Sequence, residues 1–175
     1  MTIQNIRSNL GAYAKDIKLN LGSVLTEEGA EGLTENQIYG TALACAYATK
    51  TKTLIDAVAE DAYGVLSEAE VNAVQSAATL MAMNNIYYRF IHLVHDDSFG
   101  KMPANLRMSG IANHGIDKID YEIYSLAVSA INGCGMCMDA HVDAILKAGG
   151  SKQAVQSSIR IASVINATAQ AIVID

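Results

Sequence analysis

A single proline, Pro103, occurs in 175 residues, so long stretches on both sides of it are free of the residue that most strongly breaks helices. Alanine, the best helix former, occurs 27 times. No alternating apolar and polar pattern of convincing length indicates a β-strand. Hydrophobic residues make up 51% of the chain and charged residues 17%, so there is enough apolar surface to offset the entropy lost on folding. The sequence predicts an all-α protein.

Local signals predict where the helices begin and end. Thr34 and Ser67 each start a capping box, and the helices that follow should extend to about Lys50 and to residues 84–89. Asp117 can cap a helix over residues 118–131, which Asn132 and Gly133 then break. Further helices are expected at 53–62, from 134 or 135 to about 148, and at 151–174, with loops at 98–103 and 113–115.

A faint internal repeat suggests how the chain is organised. The tetrapeptide Ala-Val-Gln-Ser occurs at residues 73–76 and again at 154–157. Upstream, Gln-Ile-Tyr at 37–39 matches Glu-Ile-Tyr at 122–124. We therefore expect one domain over residues 1–175 that contains two related helical units, at about 1–101 and 102–175.

Charge and composition exclude several functions. The net charge is -6 and there is no cluster of Lys or Arg, so the sequence offers no surface that would bind a nucleic acid through its phosphates. The first residues lack a secretory signal, and the apolar stretches are judged too short to cross a membrane. Three cysteines fit a disulfide framework badly. We expect a cytoplasmic protein with a functional thiol pair.

One group of residues carries the chemistry: Glu122, Cys134, Cys137 and His141. A Cys-x-x-Cys motif at the start of a helix is a redox geometry, because the helix N-terminus stabilises a thiolate and the spacing permits a reversible disulfide. His141 follows Cys137 by four residues and is within reach as its acid–base partner. Glu122, on the preceding helix, can fold back over the imidazole and fix its tautomer.

Other interpretations of these and other residues stay open at this point. The two cysteines and His141 can be half of a zinc site. Zinc needs four ligands, however, and the remaining thiol, Cys45, has no partner near it in sequence. Inert buried thiols are a third possibility. We interpret Cys45 as a small core residue, and Tyr87 and Tyr88 as core or subunit contacts. We interpret the other three histidines, His92, His95 and His114, as having no metal role. His114 is expected to be solvated in a turn.

The order and spacing of these four residues resemble those of the alkyl hydroperoxide reductase D family, in the carboxymuconolactone decarboxylase-like superfamily. The shared pattern is Glu, eleven residues, Cys-x-x-Cys, three residues and His. The segment Ser-Ala-Ile-Asn-Gly-Cys at 129–134 is very similar to the same region of that family. Segments at 13–20, 83–85, 107–108 and 111–116 also resemble family segments, so the similarity covers nearly the whole chain.

The resemblance implies an all-helical, internally duplicated protomer in a homotrimer. It implies a thiol peroxidase, a lipoyl-dependent type of peroxiredoxin, that reduces organic hydroperoxides and passes electrons to a partner peroxiredoxin. Dihydrolipoyl groups on a 2-oxoacid dehydrogenase component would supply the electrons, with no tightly bound cofactor and no metal. Cys137 would attack the peroxide and become the sulfenic acid, Cys134 would resolve it, and Glu122 and His141 would relay protons.

One position departs from the pattern that the resemblance implies. Better-known members have His at the second x of Cys-x-x-Cys, where this chain has Met136. A thioether cannot donate a hydrogen bond to a thiolate, so Met136 bears on the thiol pKa and the rate. Lactone decarboxylases of the superfamily need no thiol pair, which argues against that activity. A redox adaptor or sensor without peroxidase activity would use the same disulfide and stays as the alternative.

Overall fold

A computed structural model describes residues 1–174. Within that range the regular structure is helical and no β-strand occurs. The α-helices are α1 (Ile3–Asn9), α2 (Lys15–Val24), α3 (Glu35–Thr49), α4 (Lys52–Ala62), α5 (Glu68–Leu93), α6 (Ser98–Lys101), α7 (Lys118–Ile131), α8 (Gly135–Lys147) and α9 (Lys152–Ile174). Short 3-10 helices lie at Ala12–Ala14 and Ser109–Ile111. The predicted all-α class is confirmed.

The capping residues read from the sequence begin the helices where they were expected. The Thr34 hydroxyl accepts from the backbone N–H of Gln37, whose side chain accepts in return from the N–H of Thr34. Ser67 and Glu70 form the same reciprocal pair at the start of α5. Asp117 caps α7 by accepting from the N–H of Ile119 at 2.7 Å. Each pair satisfies backbone donors that a helix start leaves free.

Two boundaries differ from the sequence prediction. Helix α5 continues to Leu93, past the expected end at residues 84–89. The segment predicted as a loop at 98–103 contains the helical turn α6, where the Asp96 carboxylate accepts from the N–H of Ser98 at 2.9 Å. The rings of Phe90 and Phe99 pack edge to face with centroids 5.3 Å apart, which holds this turn against the end of α5.

Helices α3, α7 and α9 form the centre of the molecule. Most of α3 and α7 is inaccessible to solvent, and every α-helix except α6 contributes to the principal hydrophobic cluster. Gly40 lets α3 approach α7 closely, because a Cβ atom there would lie 2.4 Å from the Tyr124 ring. Burial raises the pKa of the Tyr124 phenol, whose hydroxyl donates to the carbonyl of Asn36 at 3.4 Å.

The helix order bears on the predicted repeat. Helices α3, α4 and α5 have 15, 11 and 26 residues, and α7, α8 and α9 have 14, 13 and 23. The repeated tetrapeptides lie near the starts of α5 and α9. The same order of short and long helices therefore occurs twice, and internal duplication stays a prediction.

Helix α9 corrects one expectation from the sequence. By length and composition alone, its 23 residues are apolar enough to cross a membrane. The sequence-based expectation that every apolar stretch is too short for this does not hold for α9. Half of its apolar window is buried within the fold, and the core helix of a soluble protein meets the same criteria. Ser158 and Thr168 on this helix are fully buried, and their hydroxyls donate to the carbonyls of Val155 and Val164.

Candidate redox site

The corner between α7 and α8 creates the site. After Ile131 the chain turns through Asn132 and Gly133, and Gly133 adopts a φ of +70°, a conformation that favours glycine. The backbone N–H of Cys134 donates to the carbonyl of Ser129 at 3.1 Å, which closes the turn. Helices α7 and α8 then pack against each other, so residues distant in sequence meet across them.

Cys134 and Cys137 are joined by a disulfide at the start of α8. Cys134 is the N-cap residue and precedes the helix, and its sulfur accepts from the backbone N–H of Cys137 at 3.3 Å. Cys134 is fully buried, whereas Cys137 is 7% exposed. The helix N-terminus therefore acts directly on the Cys134 sulfur, and Cys137 is the more exposed residue of the pair.

Glu122 and His141 form a close pair beside the disulfide. Oε2 of Glu122 lies 2.7 Å from Nδ1 of His141, and each side chain is only 12% exposed. Because a carboxylate only accepts hydrogen bonds, Nδ1 carries the proton and donates it to Glu122. The structure thus brings Glu122 over the imidazole, where the sequence analysis placed it.

The other imidazole nitrogen faces α5. Nε2 of His141 lies 3.3 Å from Sδ of Met81, a fully buried residue 60 positions earlier in the chain. Since Nδ1 is committed to Glu122, Nε2 is the nitrogen that can take up or release a proton. The catalytic roles of the four residues stay a prediction.

A cavity of about 250 Å³ opens onto Cys137 and His141. Most of its wall is apolar, and Asn84 adds a carboxamide. The remaining wall residues are Met81, Tyr88, Met108, Ile111, Met136 and Ala140. The hydroxyl of Tyr88 donates to Sδ of Met108 at 3.7 Å. The volume lies below the ~300 Å³ typical of small-molecule pockets, so the cavity suits a small apolar ligand.

A buried network of carboxamides holds the α7–α8 corner. Asn85 of α5 donates through Nδ2 to the Ser129 hydroxyl at 2.8 Å and accepts at Oδ1 from Nδ2 of Asn132 at 2.9 Å. Arg89, one turn later, donates to the Asn132 carbonyl at 2.6 Å. Helix α5 therefore fixes the turn that leads into Cys134.

Sequence reasoning missed the contribution of α5 to the site. The tyrosine pair at 87–88 was assigned to core or subunit contacts, but Tyr88 lines the cavity. Met81, Asn84 and Asn85 also went without a role. The alternation of polar and apolar residues on α5 does not distinguish a buried carboxamide from a solvated one, so the local sequence carries no signal for these positions.

The remaining candidates lie away from the disulfide. Cys45 is fully buried and free, as its interpretation as a core residue requires, and burial raises the pKa of its thiol. His92 and His95 are exposed. His114 is not solvated as expected: it is half-buried, and its ring stacks on that of Tyr121 in α7 with centroids 4.4 Å apart.

Among residues 1–174, no group of three or more His, Cys, Asp or Glu side chains is arranged to hold a metal ion. Both cysteines of the motif are engaged in the disulfide, which leaves neither free as a ligand. The arrangement is instead that of a dithiol–disulfide couple with a His–Glu pair and an apolar cavity beside it.

The fold and site define an all-helical protein with a redox-active cysteine pair, and the model of the carboxymuconolactone decarboxylase family matches residues 97–173, which contain all four site residues. The alkyl hydroperoxide reductase AhpD of Coxiella burnetii (strain RSA 493 / Nine Mile phase I) is 53% identical over 173 residues, which are 99% of this chain and 98% of that protein. The AhpD of Azorhizobium caulinodans is 45% identical, with 98% and 93% covered. That of Brucella abortus (strain 2308) is 44% identical, with 98% and 97% covered. The chain belongs to the AhpD family, and the resemblance seen in its sequence is confirmed.

Proposed function

We propose that this protein is an antioxidant thiol peroxidase that reduces organic hydroperoxides through a Cys134–Cys137 dithiol–disulfide cycle. The observation that carries the proposal is the position of Cys137, which lines an apolar cavity together with His141. An apolar wall favours an alkyl or aryl group over a small polar peroxide. The relatives from Coxiella burnetii and Azorhizobium caulinodans, both named alkyl hydroperoxide reductase AhpD, support this proposal.

In the oxidative half-reaction, the Cys137 thiolate attacks the terminal oxygen of the hydroperoxide. The S–O bond forms, the O–O bond breaks, and the departing alkoxide takes a proton from Nε2 of the His141 imidazolium and leaves as the alcohol. The Cys134 thiol then attacks the Cys137 sulfenic acid, which releases water and forms the disulfide present in the structure. Glu122 accepts the hydrogen bond of Nδ1 and so orients the imidazole for this proton transfer.

In the reductive half-reaction, a dithiol attacks the more accessible sulfur, that of Cys137, and Cys134 leaves as a thiolate. The N–H of Cys137 stabilises that leaving group, since it already donates to the Cys134 sulfur. The second thiol of the reductant then completes the exchange. We propose dihydrolipoyl groups of a lipoylated 2-oxoacid dehydrogenase component as this reductant, and the disulfide of a partner peroxiredoxin as a second electron acceptor for the reduced enzyme.

The test is an NADH-coupled assay with a lipoyl carrier, dihydrolipoamide dehydrogenase and cumene hydroperoxide, with and without a peroxiredoxin. We expect steady NADH oxidation, one alcohol formed per NADH, and complete loss of turnover in Cys137→Ser. Cys45→Ala, which removes the buried free thiol, is the matched control and should keep wild-type turnover. Lipoyl-dependent reduction of the peroxiredoxin with no turnover of hydroperoxide alone would identify a redox adaptor instead.

A further inference from the structure

Asn84 has a buried polar atom without a partner. Its side chain is 4% exposed, and within residues 1–174 its Oδ1 is one of only two buried side-chain N or O atoms that make no hydrogen bond. The same residue lines the cavity next to Cys137 and His141. Most buried polar atoms in proteins are paired, because an unpaired acceptor loses its water without compensation. An orphaned acceptor in the wall of a cavity can be satisfied by a ligand that donates a hydrogen bond.

The neighbouring residue shows that the fold can satisfy a carboxamide here. Asn85 is as deeply buried, and both ends of its amide are bonded, one to Ser129 and the other to Asn132. The two consecutive side chains leave α5 in different directions, so Asn85 supports the α7–α8 corner while Asn84 faces the cavity. The missing partner is therefore specific to Asn84 and to the cavity that it lines.

We propose that Asn84 is a substrate-positioning residue whose carbonyl oxygen accepts the hydrogen bond of the hydroperoxide O–H. The inference rests on the proposed peroxidase function and extends it to the binding of the oxidant. A hydroperoxide has a single O–H donor, on the terminal oxygen that is transferred to sulfur. The organic group would lie against the apolar wall that Met108, Ile111 and Met136 supply.

The chemistry explains why an acceptor is useful at this point. Left alone, the peroxide proton would bond to the Cys137 thiolate, which is the strongest acceptor in the cavity, and that pose places hydrogen rather than oxygen against the sulfur. A second acceptor in the cavity wall can take that proton instead and leave the terminal oxygen free for attack along the O–O axis. The bonds made and broken are those of the oxidative half-reaction above, and Asn84 neither gains nor loses a proton.

The test compares Asn84→Leu with the wild type in two separate half-reactions. The pre-reduced protein is mixed with cumene hydroperoxide to measure the oxidative step, and the disulfide form is mixed with dihydrolipoamide to measure the reductive step. Loss of one neutral hydrogen bond should lower the second-order rate constant for oxidation by roughly 2- to 12-fold. The reductive step should stay at the wild-type rate, because no peroxide takes part in it.

Thermal stability separates positioning from a structural role. Leucine has a similar volume and removes an unpaired buried acceptor, so the melting temperature of Asn84→Leu should equal or exceed that of the wild type. Asn72→Leu is the matched control, since it makes the same change at an exposed position on the same helix and should alter neither half-reaction. Asn84→Ala provides a second variant without a branched side chain. We expect it to show the same lower rate of oxidation with an unchanged rate of reduction.

Wild-type oxidation rates in Asn84→Leu and Asn84→Ala would overturn the proposal. It would equally be overturned by a lower melting temperature together with a parallel loss in both half-reactions, which indicates a structural role. If hydroperoxide fails to oxidise the pre-reduced wild-type protein, the proposed peroxidase function itself is wrong, and that result is obtained before any variant is compared.

Discussion

His141 presents its two nitrogens to different neighbours, and this division determines how it can work. Nδ1 is held by Glu122 at 2.7 Å, so the ring cannot rotate freely and Nε2 is directed towards α5 and the cavity. This arrangement leaves Nε2 as the nitrogen through which the ring can exchange a proton with a reacting group in the cavity. We therefore expect Glu122 to act on the reaction only through His141.

Replacement of His141 by Phe should lower the rate of hydroperoxide reduction by roughly 10- to 10⁴-fold, the range expected when general acid–base help is lost. Glu122→Gln should cause a smaller loss, because a carboxamide can still orient the imidazole but cannot stabilise its charge. Stopped-flow oxidation of pre-reduced protein between about pH 6 and 8 measures both. A wild-type rate in His141→Phe over that range would mean that the helix N-terminus alone activates the thiol.

The residues that could be predicted from sequence are those joined by local spacing. Cys134, Cys137 and His141 lie within eight consecutive residues, so one helix and its N-cap residue bring them together. The approach of Glu122 needed one further assumption, the sharp turn at Gly133. Met81 and Asn84 reach the site only because α5 packs against α8, and no spacing rule connects residues some fifty or sixty positions apart.

At the scale of elements, α5 controls the geometry of the corner before Cys134. Asn85→Leu would remove two buried hydrogen bonds and leave Ser129 and Asn132 without their partners, at a cost of about 2–5 kcal/mol. We expect the melting temperature to fall by roughly 4–20 °C. Thermal unfolding followed by circular dichroism measures the shift, and Asn72→Leu again serves as the exposed control. An unchanged melting temperature would show that Asn85 does not fix the corner.

The start of α5 gives a pH-dependent prediction. The Glu70 carboxylate accepts from Asn36 and from both the N–H and the hydroxyl of Ser67, each at 2.7 Å. Partial burial raises the pKa of Glu70, but these hydrogen bonds outweigh it and hold the pKa below its ordinary value of 4.5. Since the folded pKa lies below the unfolded one, Glu70 contributes stability above pH 4.5, and this contribution is lost as the pH falls through the folded pKa.

Glu70→Gln should therefore lower the free energy of unfolding by about 0.5–1 kcal/mol at neutral pH, since one acceptor oxygen remains and the charge is lost. The difference from wild type should shrink as the pH is lowered below 4.5. Denaturant unfolding at a series of pH values measures it. Glu68→Gln, an exposed change in the same first turn, is the control, and a difference that grows on acidification would contradict the argument.

Element boundaries were predictable where one residue type sets them. Thr34, Ser67 and Asp117 each place a side-chain acceptor at a helix start, and that interaction is complete within three residues. The turn α6 and the last part of α5 were missed because the contact between Phe90 and Phe99 supports them, and this contact exists only after the chain has folded back. Gly100 and Pro103 indicate a loop because both residues disfavour a continuing helix, and α6 does end at Lys101, before the proline.

At the scale of the whole molecule, the distribution of apolar surface bears on assembly. The apolar sequences at residues 86–94 and 159–174 predict more apolar surface than one small domain readily buries. Most apolar side chains of α9 lie in the core, and only Val173 and Ile174 at its end are strongly exposed. The end of α5 does carry exposed apolar side chains, with Ile86 at 66%, Phe90 at 47% and Leu93 at 65%. One protomer leaves this surface in water, which is typical of a subunit contact.

We therefore expect the end of α5 to form the contact in a homotrimer, the trimer being the assembly that the family resemblance implies. Leu93→Glu should shift the protein to monomers, because three-fold symmetry repeats the desolvated charge at every copy of the interface. Leu19→Glu is the matched control: Leu19, on α2, is 57% exposed and lies outside this surface, so the trimer should persist. Light scattering coupled to size-exclusion chromatography measures the mass, and a strict monomer for the wild type at micromolar concentration would contradict the prediction. A trimer that survives Leu93→Glu but dissociates in Leu19→Glu would place the contact on α2 instead.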